Sequence, residues 1–496
     1  MKNILFIVPK CGYNTLTPPL SLGALSIASY LKALDYNVKV FDRSIELESL
    51  NHLFASFEPD IVGVSVLSQN ALKDAIVVSK FFHRKSIPTV WGGMFPSSMP
   101  DIVIKEDYVD YVSFGEGEKT WEELLFALNH EEDVKSIKGL ALKEPNGSII
   151  INEERELLKG DEIPFVDYSL IDAGKYTIYM GDGIGKRFMW LNSSKGCPHH
   201  CAFCSNASFN HSSHRNKLKN VYLSEIEYLL TQTDCDGIYF ADDTWAITKE
   251  EIHRKCQELQ DISVPFTWAA FLNLGFLNKE DYEYLYENGC RVLYFGIESG
   301  SASELKRVRK PLKLDRVIPE LEACASAGIV PHASFVLGCK DQTLQEAKET
   351  AELMKAASRF ARLMCYEYVP YKGSEMYSQL AEEKRIPLPQ SLKGLVKSKK
   401  QLKNARISEL SRHEIKVILS YASLWGLLRN AIDQSTNHFQ LIFHSLSNIF
   451  THWQKNEENQ VNIKFLLDLS VKYIFAILQV FFCRYTAKKL GLSLLN

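Results

Sequence analysis

Hydrophobic and polar positions divide the chain into stretches of different rhythm. Over the first 135 residues, short and nearly continuous apolar runs ("NILFIVP", "NVKVFD", "DIVGVSV", "PTVWGG", "VDYVSFG") alternate with segments of helix length such as "LSLGALSIASYLKALD" and "NALKDAIVVSKFFHRK". Strands apolar on both faces and separated by helices predict a doubly wound parallel sheet, with ligands at the carboxyl ends of its strands. Residues 136–180 read differently, as a small hairpin turning at Asn146-Gly147 followed by a linker. Between 181 and 385 six further strand-like runs ("RFMWLNSS", "GIYFADD", "FTWAAFL", "RVLYFGIES", "PHASFVLG", "RLMCYEYVP") each precede a helical pattern. That is the signature of a (β/α)6 partial barrel, again with function at the carboxyl ends of the strands. From 386 to 496 the strand signal disappears and a helical C-terminal region is expected. Within it, 463–490 is very apolar but carries Asp468 and Lys472, so a core helix or a helix lying on a membrane surface is expected rather than a span.

Composition narrows the function classes without choosing one. The chain has 496 residues, 46% hydrophobic and 24% charged, with a net charge of −3. No strong field favours nucleic acid or an anionic membrane. The first residues lead straight into a strand with no export signal, so a cytoplasmic enzyme is expected. Eleven cysteines, an odd number, are scattered along the chain. Buried or metal-bound thiols fit that better than a disulfide framework.

The chemistry concentrates in "SSKGCPHHCAFCSNAS", where Cys197, Cys201 and Cys204 are spaced C-x3-C-x2-C. Tetrahedral zinc usually takes two C-x2-C pairs, and a second pair is missing here. A Cys3His zinc site using His199 or His200 is conceivable, as is a loop of plain core cysteines. An iron–sulfur cube suits the spacing better, because three thiolates would hold three irons and leave the fourth open to a ligand.

A C-x3-C-x2-C loop directly after a strand, with a β/α barrel following, resembles the radical S-adenosylmethionine (radical SAM) enzymes. The resemblance implies a [4Fe-4S] cluster on Cys197, Cys201 and Cys204, whose open iron chelates S-adenosylmethionine and cleaves it reductively to a 5′-deoxyadenosyl radical. It implies that Phe203 lies near the adenine and that Asp242 and Asp243, in "GIYFADDT", meet the amino group. Glu298 and Ser299, in "LYFGIESGS", are then further cofactor contacts, and the backbone of "SFVLG", around Leu337, meets adenine. Two departures bear on substrate contacts: "CKDQT" replaces a Gly-Pro-Gly-Glu-like turn, and Asn273 stands where many relatives carry Arg.

The first domain resembles the Rossmann-like cobalamin-binding domain that precedes the barrel in one large radical SAM subfamily. The resemblance rests on Ser65-Val66-Leu67, on the Gly92-Gly93 pair and on "FGEGEKTWEELL", with Gly115, Glu116, Gly117 and Glu118. It implies that Ser65, Leu67, Gly92 and Gly93 contact cobalamin, where small residues let backbone approach the corrin and its tail. Aligned on Gly23, Leu20 and Pro18 occupy the places of the His and Asp of the cobalt-ligating motif, so no imidazole is offered. The expected function is methylation of an unactivated carbon or a phosphinate. Radical cyclisation or rearrangement with the same cofactors is the alternative, and a non-catalytic sensor a remote one. The implied partners are a small-molecule or lipid substrate and an electron donor such as flavodoxin or ferredoxin.

Overall fold

The structure, a computed structural model, describes residues 1–419 except 12–18, 47, 181–183, 186, 403–404, 406, 413 and 417. The apolar runs of the first domain become β1 (Asn3–Val8), β2 (Asn37–Asp42), β3 (Ile61–Ser65), β4 (Thr89–Gly92) and β5 (Tyr111–Ser113). They pair in parallel in the order β2-β1-β3-β4-β5. The order reverses between β1 and β3, the switch point at which such sheets bind ligands. Around the sheet, the helices Leu22–Ala33 and Glu118–His130 pack on each other.

The hairpin of residues 136–180 is part of this sheet. β6 (Leu140–Lys143) and β7 (Ile149–Ile151) extend it antiparallel beyond β5. The linker after it is a packed strap. Ile163, Val166, Tyr168, Ala173 and Tyr176 are buried, Lys32 holds Asp167 at 2.6 Å, and the Val166 amide donates to Glu225 at 2.6 Å. The sequence suggested a linker because buried positions in a strap have no period to reveal them.

The second sheet contains β8 (Phe188–Leu191) and, after a two-stranded ribbon of β9 (Ser194–Lys195) and β10 (Arg215–Asn216), β11 (Gly237–Phe240), β12 (Thr267–Leu272), β13 (Cys290–Glu298), β14 (Val330–Leu337) and β15 (Arg362–Glu367). Its six strands are parallel and in chain order, β15-β14-β13-β12-β11-β8, the expected open partial barrel. Burial alternates strictly along β14. Pro331, Ala333, Phe335 and Leu337 are buried towards the surrounding helices, whereas Val330, His332, Ser334 and Val336 are half-exposed towards the lumen.

The helix Leu392–Leu402, in the expected helical C-terminal region, packs on the first domain. Leu392 and Leu395 join its core with Leu72 and Val78, and Gln69 donates to the Leu395 carbonyl. No helix among the described residues is long and apolar enough to cross a membrane. The apolar segment 463–490 lies outside the described residues.

Candidate functional site

The cysteine loop is fixed from three sides. Gly196, in the left-handed region at φ +88°, turns the chain out of β9 into Cys197. The Cys204 amide donates to the Cys201 carbonyl at 3.0 Å, closing a turn; the Ala202 amide donates to Val308 and the Met376 amide to the Ala202 carbonyl. Phe203 is partly buried and packs against the apolar cluster containing Val308, Cys339, Tyr368 and Met376. Cys201 is buried, and Cys197 and Cys204 are half-buried; all three are free thiols. Burial raises the thiol pKa values, Cys201's to about 11; Lys310 opposes that rise, while Cys204, Glu298 and Cys197 add to it. Three thiols grouped so that each ionised one disfavours the others form a soft donor set suited to a positively charged metal centre. Among the described residues no three His, Cys, Asp or Glu side chains converge closely enough for a single ion. His200 hydrogen-bonds Ser212.

The acid pair divides its work. Asp242 is fully buried, accepting from the Ser193 hydroxyl at 2.7 Å and the Ser194 amide at 2.8 Å, with Asn192 at 3.4 Å. Its charge faces Lys255, itself buried and bound to the Ser193 hydroxyl and the Trp245 carbonyl. Asp242 therefore anchors the root of the cysteine loop. Asp243 accepts from the Gly196 amide at 3.0 Å and projects its charge on Cys197 and Cys204. Of the two, Asp243 faces the thiols.

Glu298 ends β13 at φ +69° after a register shift, an unusual conformation for a residue with a side chain. Its carboxylate lies over Gly296, where an added Cβ would meet it at 2.3 Å and the Lys310 ammonium at 2.9 Å. Lys310 pairs with Glu298 at 3.4 Å. Sequence reading missed Lys310, which carries no motif of its own and reaches the thiols only because Val308 is stitched to Ala202. Ser299, expected as a cofactor contact, is buried, donates to Glu304 at 2.6 Å and lies 3.1 Å from the Thr350 hydroxyl. The Leu337 side chain points to the helices and its carbonyl accepts from the Tyr368 amide; Val336 is the inward side chain at that level.

In the first domain Leu67 is exposed at the end of β3, and the Ser65 and Ser21 hydroxyls lie 3.1 Å apart. Gly92 ends β4 and Gly93 follows it, capping the next short helix. Gly93 has φ +98°, and a Cβ there would lie 2.9 Å from the Val66 carbonyl oxygen, so the neighbouring strand end alone already requires glycine. Leu20 is buried, and Pro18 lies outside the described residues. Leu67, Met94, Ser97 and Phe114 from this edge, with Ser205, Ser208 and Tyr371 beyond the cysteine loop, line a cavity of about 370 Å³.

The Gly115–Glu118 motif joins the two regions. Glu116 receives both arms of Arg215, at 2.9 and 3.0 Å, and the Leu158 amide at 2.6 Å. Lys195 lies 3.3 Å from Glu116 and 3.2 Å from Glu118, which also accepts from Ser26. Burial opposes ionisation of Glu116, but Lys195 and Arg215 overcome it and hold its carboxyl below the ordinary range. Lys195 and Arg215 belong to the β9–β10 ribbon that leads into Cys197. The carboxyl edge of the first sheet is thus clamped to the root of the cysteine loop.

Comparison with known proteins agrees with this geometry. The B12 binding domain model matches residues 16–125, and the radical SAM superfamily model matches 191–354. The chain is 28% identical over 395 residues to an uncharacterized methyltransferase of Pyrococcus horikoshii, covering 76% of this chain and 82% of that protein. It is 23% identical to cytidylyl-2-hydroxyethylphosphonate methyltransferase of Streptomyces wedmorensis, covering 78% and 81%. It is 24% identical to the anaerobic magnesium-protoporphyrin IX monomethyl ester cyclase of Rubrivivax gelatinosus, covering 73% and 66%. Among solved structures, the fold is shared with the radical SAM methyltransferase TsrM of Kitasatospora setae (TM-score 0.63, 16% identity, 77% of this chain and 75% of that one). It is shared also with the cobalamin-dependent radical SAM enzyme OxsB (TM-score 0.66, 16% identity, 95% and 75%). The chain therefore carries a B12-binding domain ahead of a radical SAM domain.

Proposed function

We propose that this protein is a cobalamin-dependent radical SAM methyltransferase acting on an unactivated carbon, or a phosphinate, of a small-molecule substrate. The observation that carries the reading is the clamp of Glu116 and Glu118 on Lys195 and Arg215, which sets a B12-domain edge against a three-cysteine loop. The two methyltransferase relatives support methyl transfer.

When bound, the cluster with S-adenosylmethionine would supply a 5′-deoxyadenosyl radical, and cobalamin a transferable methyl group. The chain's own residues would do the following. Cys197, Cys201 and Cys204 would hold the cluster; Asp243 and Glu298, whose charges reach these thiols, would receive the amino group of S-adenosylmethionine. Lys310 would offset the charge of Glu298. Phe203 and the inward-facing Val336 would flank the adenine. Ser65, Leu67, Gly92 and Gly93 would border the corrin. Asp242 and Lys255 would keep the cysteine loop from moving as charge is redistributed. An electron donor such as flavodoxin or ferredoxin would reduce the cluster.

The cyclase relative favours a second reading, ring formation without methyl transfer. Product mass separates the two. Incubated anaerobically with S-adenosylmethionine, a reductant, cobalamin and extract metabolites, the protein should yield deoxyadenosine and a product heavier than its substrate by one CH2. Deoxyadenosine with a product lighter by two hydrogens would favour ring formation.

A further inference from the structure

The lumen of the barrel holds a charge that the cofactor contacts do not use. Phe271, Tyr294 and His332 occupy neighbouring positions on β12, β13 and β14, all on the lumen side. Their rings form a continuous row, with centroids 4.9 Å apart between Phe271 and Tyr294 and 4.6 Å apart between Tyr294 and His332. The next position in register, on β15, is Arg362.

Arg362 is half-buried. Among the described residues it has no ion pair and no hydrogen-bonded side-chain partner. That sets it apart from other half-buried arginines here. Arg43 is bidentate to Asp74, Arg215 to Glu116 and Arg307 to Glu346. A guanidinium withdrawn from bulk water without a carboxylate is costly unless something compensates it. Its planar fork matches the paired oxygens of a carboxylate or phosphoryl group. Burial, and then the charge of Arg362, push the His332 pKa down to about 4, so His332 is neutral at physiological pH. A neutral imidazole can donate a hydrogen bond to an anion without adding a second charge.

We propose that Arg362 is a substrate-binding residue and that the substrate carries an oxyanion, a carboxylate or a phosphoryl or phosphonyl group, seated on Arg362 and His332 while its apolar body lies along Phe271 and Tyr294. The proposal rests on the reading of the chain as a radical SAM enzyme whose substrate enters the lumen. It deepens that reading by assigning the chemical class of the substrate.

The test uses full-length reconstituted protein and three probes of one shape: benzoate, phenylphosphonate and uncharged benzyl alcohol, with dissociation constants from ligand-observed NMR. At least one anion should bind more tightly than benzyl alcohol. Arg362→Gln should weaken that anion about tenfold or more, Arg362→Lys should recover part of the loss, and benzyl alcohol should respond to neither change. Preference for benzoate identifies a carboxylate substrate, and preference for phenylphosphonate a phosphoryl or phosphonyl one. Equal anion binding by wild type and Arg362→Gln, or no preference of the wild type for anions over benzyl alcohol, overturns the proposal. If Arg362→Gln fails to fold, Arg362→Lys decides: it should bind the anion more weakly than the wild type, and equal binding overturns the proposal. Absence of deoxyadenosine from the wild type would instead overturn the enzymatic reading, so the two failures are told apart.

Discussion

The two sheets use the same material, parallel strands joined by helices, and offer ligands different surfaces. In the first sheet β3 is buried at every position but its last, Ser65, because both faces are covered. Only the strand ends are free, and there lie Leu67, Gly93 and the Gly115–Glu118 motif. In the barrel β14 alternates between half-exposed and buried positions along its whole length. Function there can run down the lumen, from Glu298 near the thiols to Arg362 on the last strand. A sheet covered twice can hold a cofactor only at its edge; a sheet curled round a lumen can also enclose a substrate.

Four experiments bear on this contrast. The largest effect is expected from Cys197→Ala, Cys201→Ala and Cys204→Ala together. Iron, about four per chain in the reconstituted wild type, should fall to background while cobalamin stays bound, checked by iron assay and absorbance of the same samples. Loss of both cofactors would show that the two regions do not bind independently.

The reciprocal change is Gly93→Val. Its Cβ would press on the Val66 backbone and it would hold a side chain at φ +98°, costing about 1–3 kcal/mol of local stability. Cobalamin retention on gel filtration should drop while iron content stays near that of the wild type.

The clamp comes third. Arg215→Met leaves Glu116 buried with Lys195 as its remaining cation and should cost about 3 kcal/mol in denaturant unfolding. Adding Glu116→Leu should return much of that loss. In the double variant both cofactors should still bind, but pulsed electron paramagnetic resonance should show a broader cobalt-to-cluster distance distribution. An unchanged distribution would show that other contacts fix the two regions.

The smallest effect is a difference in acid sensitivity. Burial works against Glu251 and Glu346, but His214 and the Ile247 amide for the first, and Arg307 and Ser303 for the second, bring each pKa to about 2. Both folded pKa values lie below the 4.5 of an ordinary glutamate, so this stabilisation is complete above about pH 4.5 and is lost as the pH falls towards 2. Both residues belong to barrel helices. In the first domain burial raises the pKa of Asp42, so the sign is opposite: protonation relieves the cost of a buried charge. Between pH 6 and 3, hydrogen-exchange protection should therefore fall more in Lys249–Leu259 and Leu344–Ala357 than around Asp42 in β2.

Both sheets were legible because burial on two faces and on one face leave different marks in sequence: "DIVGVSV" is continuous, whereas "VPHASFVL" admits Pro, His and Ser at intervals. The thiols were legible because their ligand spacing is local. What a single strand hides is which of its residues looks inward. The motif drew attention to Ser299 and to the backbone around Leu337; Ser299 follows the end of β13 and is buried against Glu304 and Thr350, and along β14 alternation leaves the Val336 side chain, not that of Leu337, half-exposed on the lumen side. Asp242 and Asp243 are adjacent letters with opposite directions, one into the core and one towards the cysteines. Lys310 and Arg362 had no local signal at all, since each acquires its role from a neighbouring strand or from a backbone bond across the barrel. The clamp was half visible: Glu116 and Glu118 stood in a recognised motif, but their cationic partners lay on a ribbon too short to show a period.

Radical chemistry at the three thiols is read by the release of 5′-deoxyadenosine from anaerobically reconstituted protein given S-adenosylmethionine and a low-potential reductant, compared with Cys201→Ala treated in the same way. The wild type should release deoxyadenosine in a reductant-dependent way, and the variant none above background. Equal release from both, or none from a wild type carrying its full complement of iron, would contradict radical chemistry at these thiols.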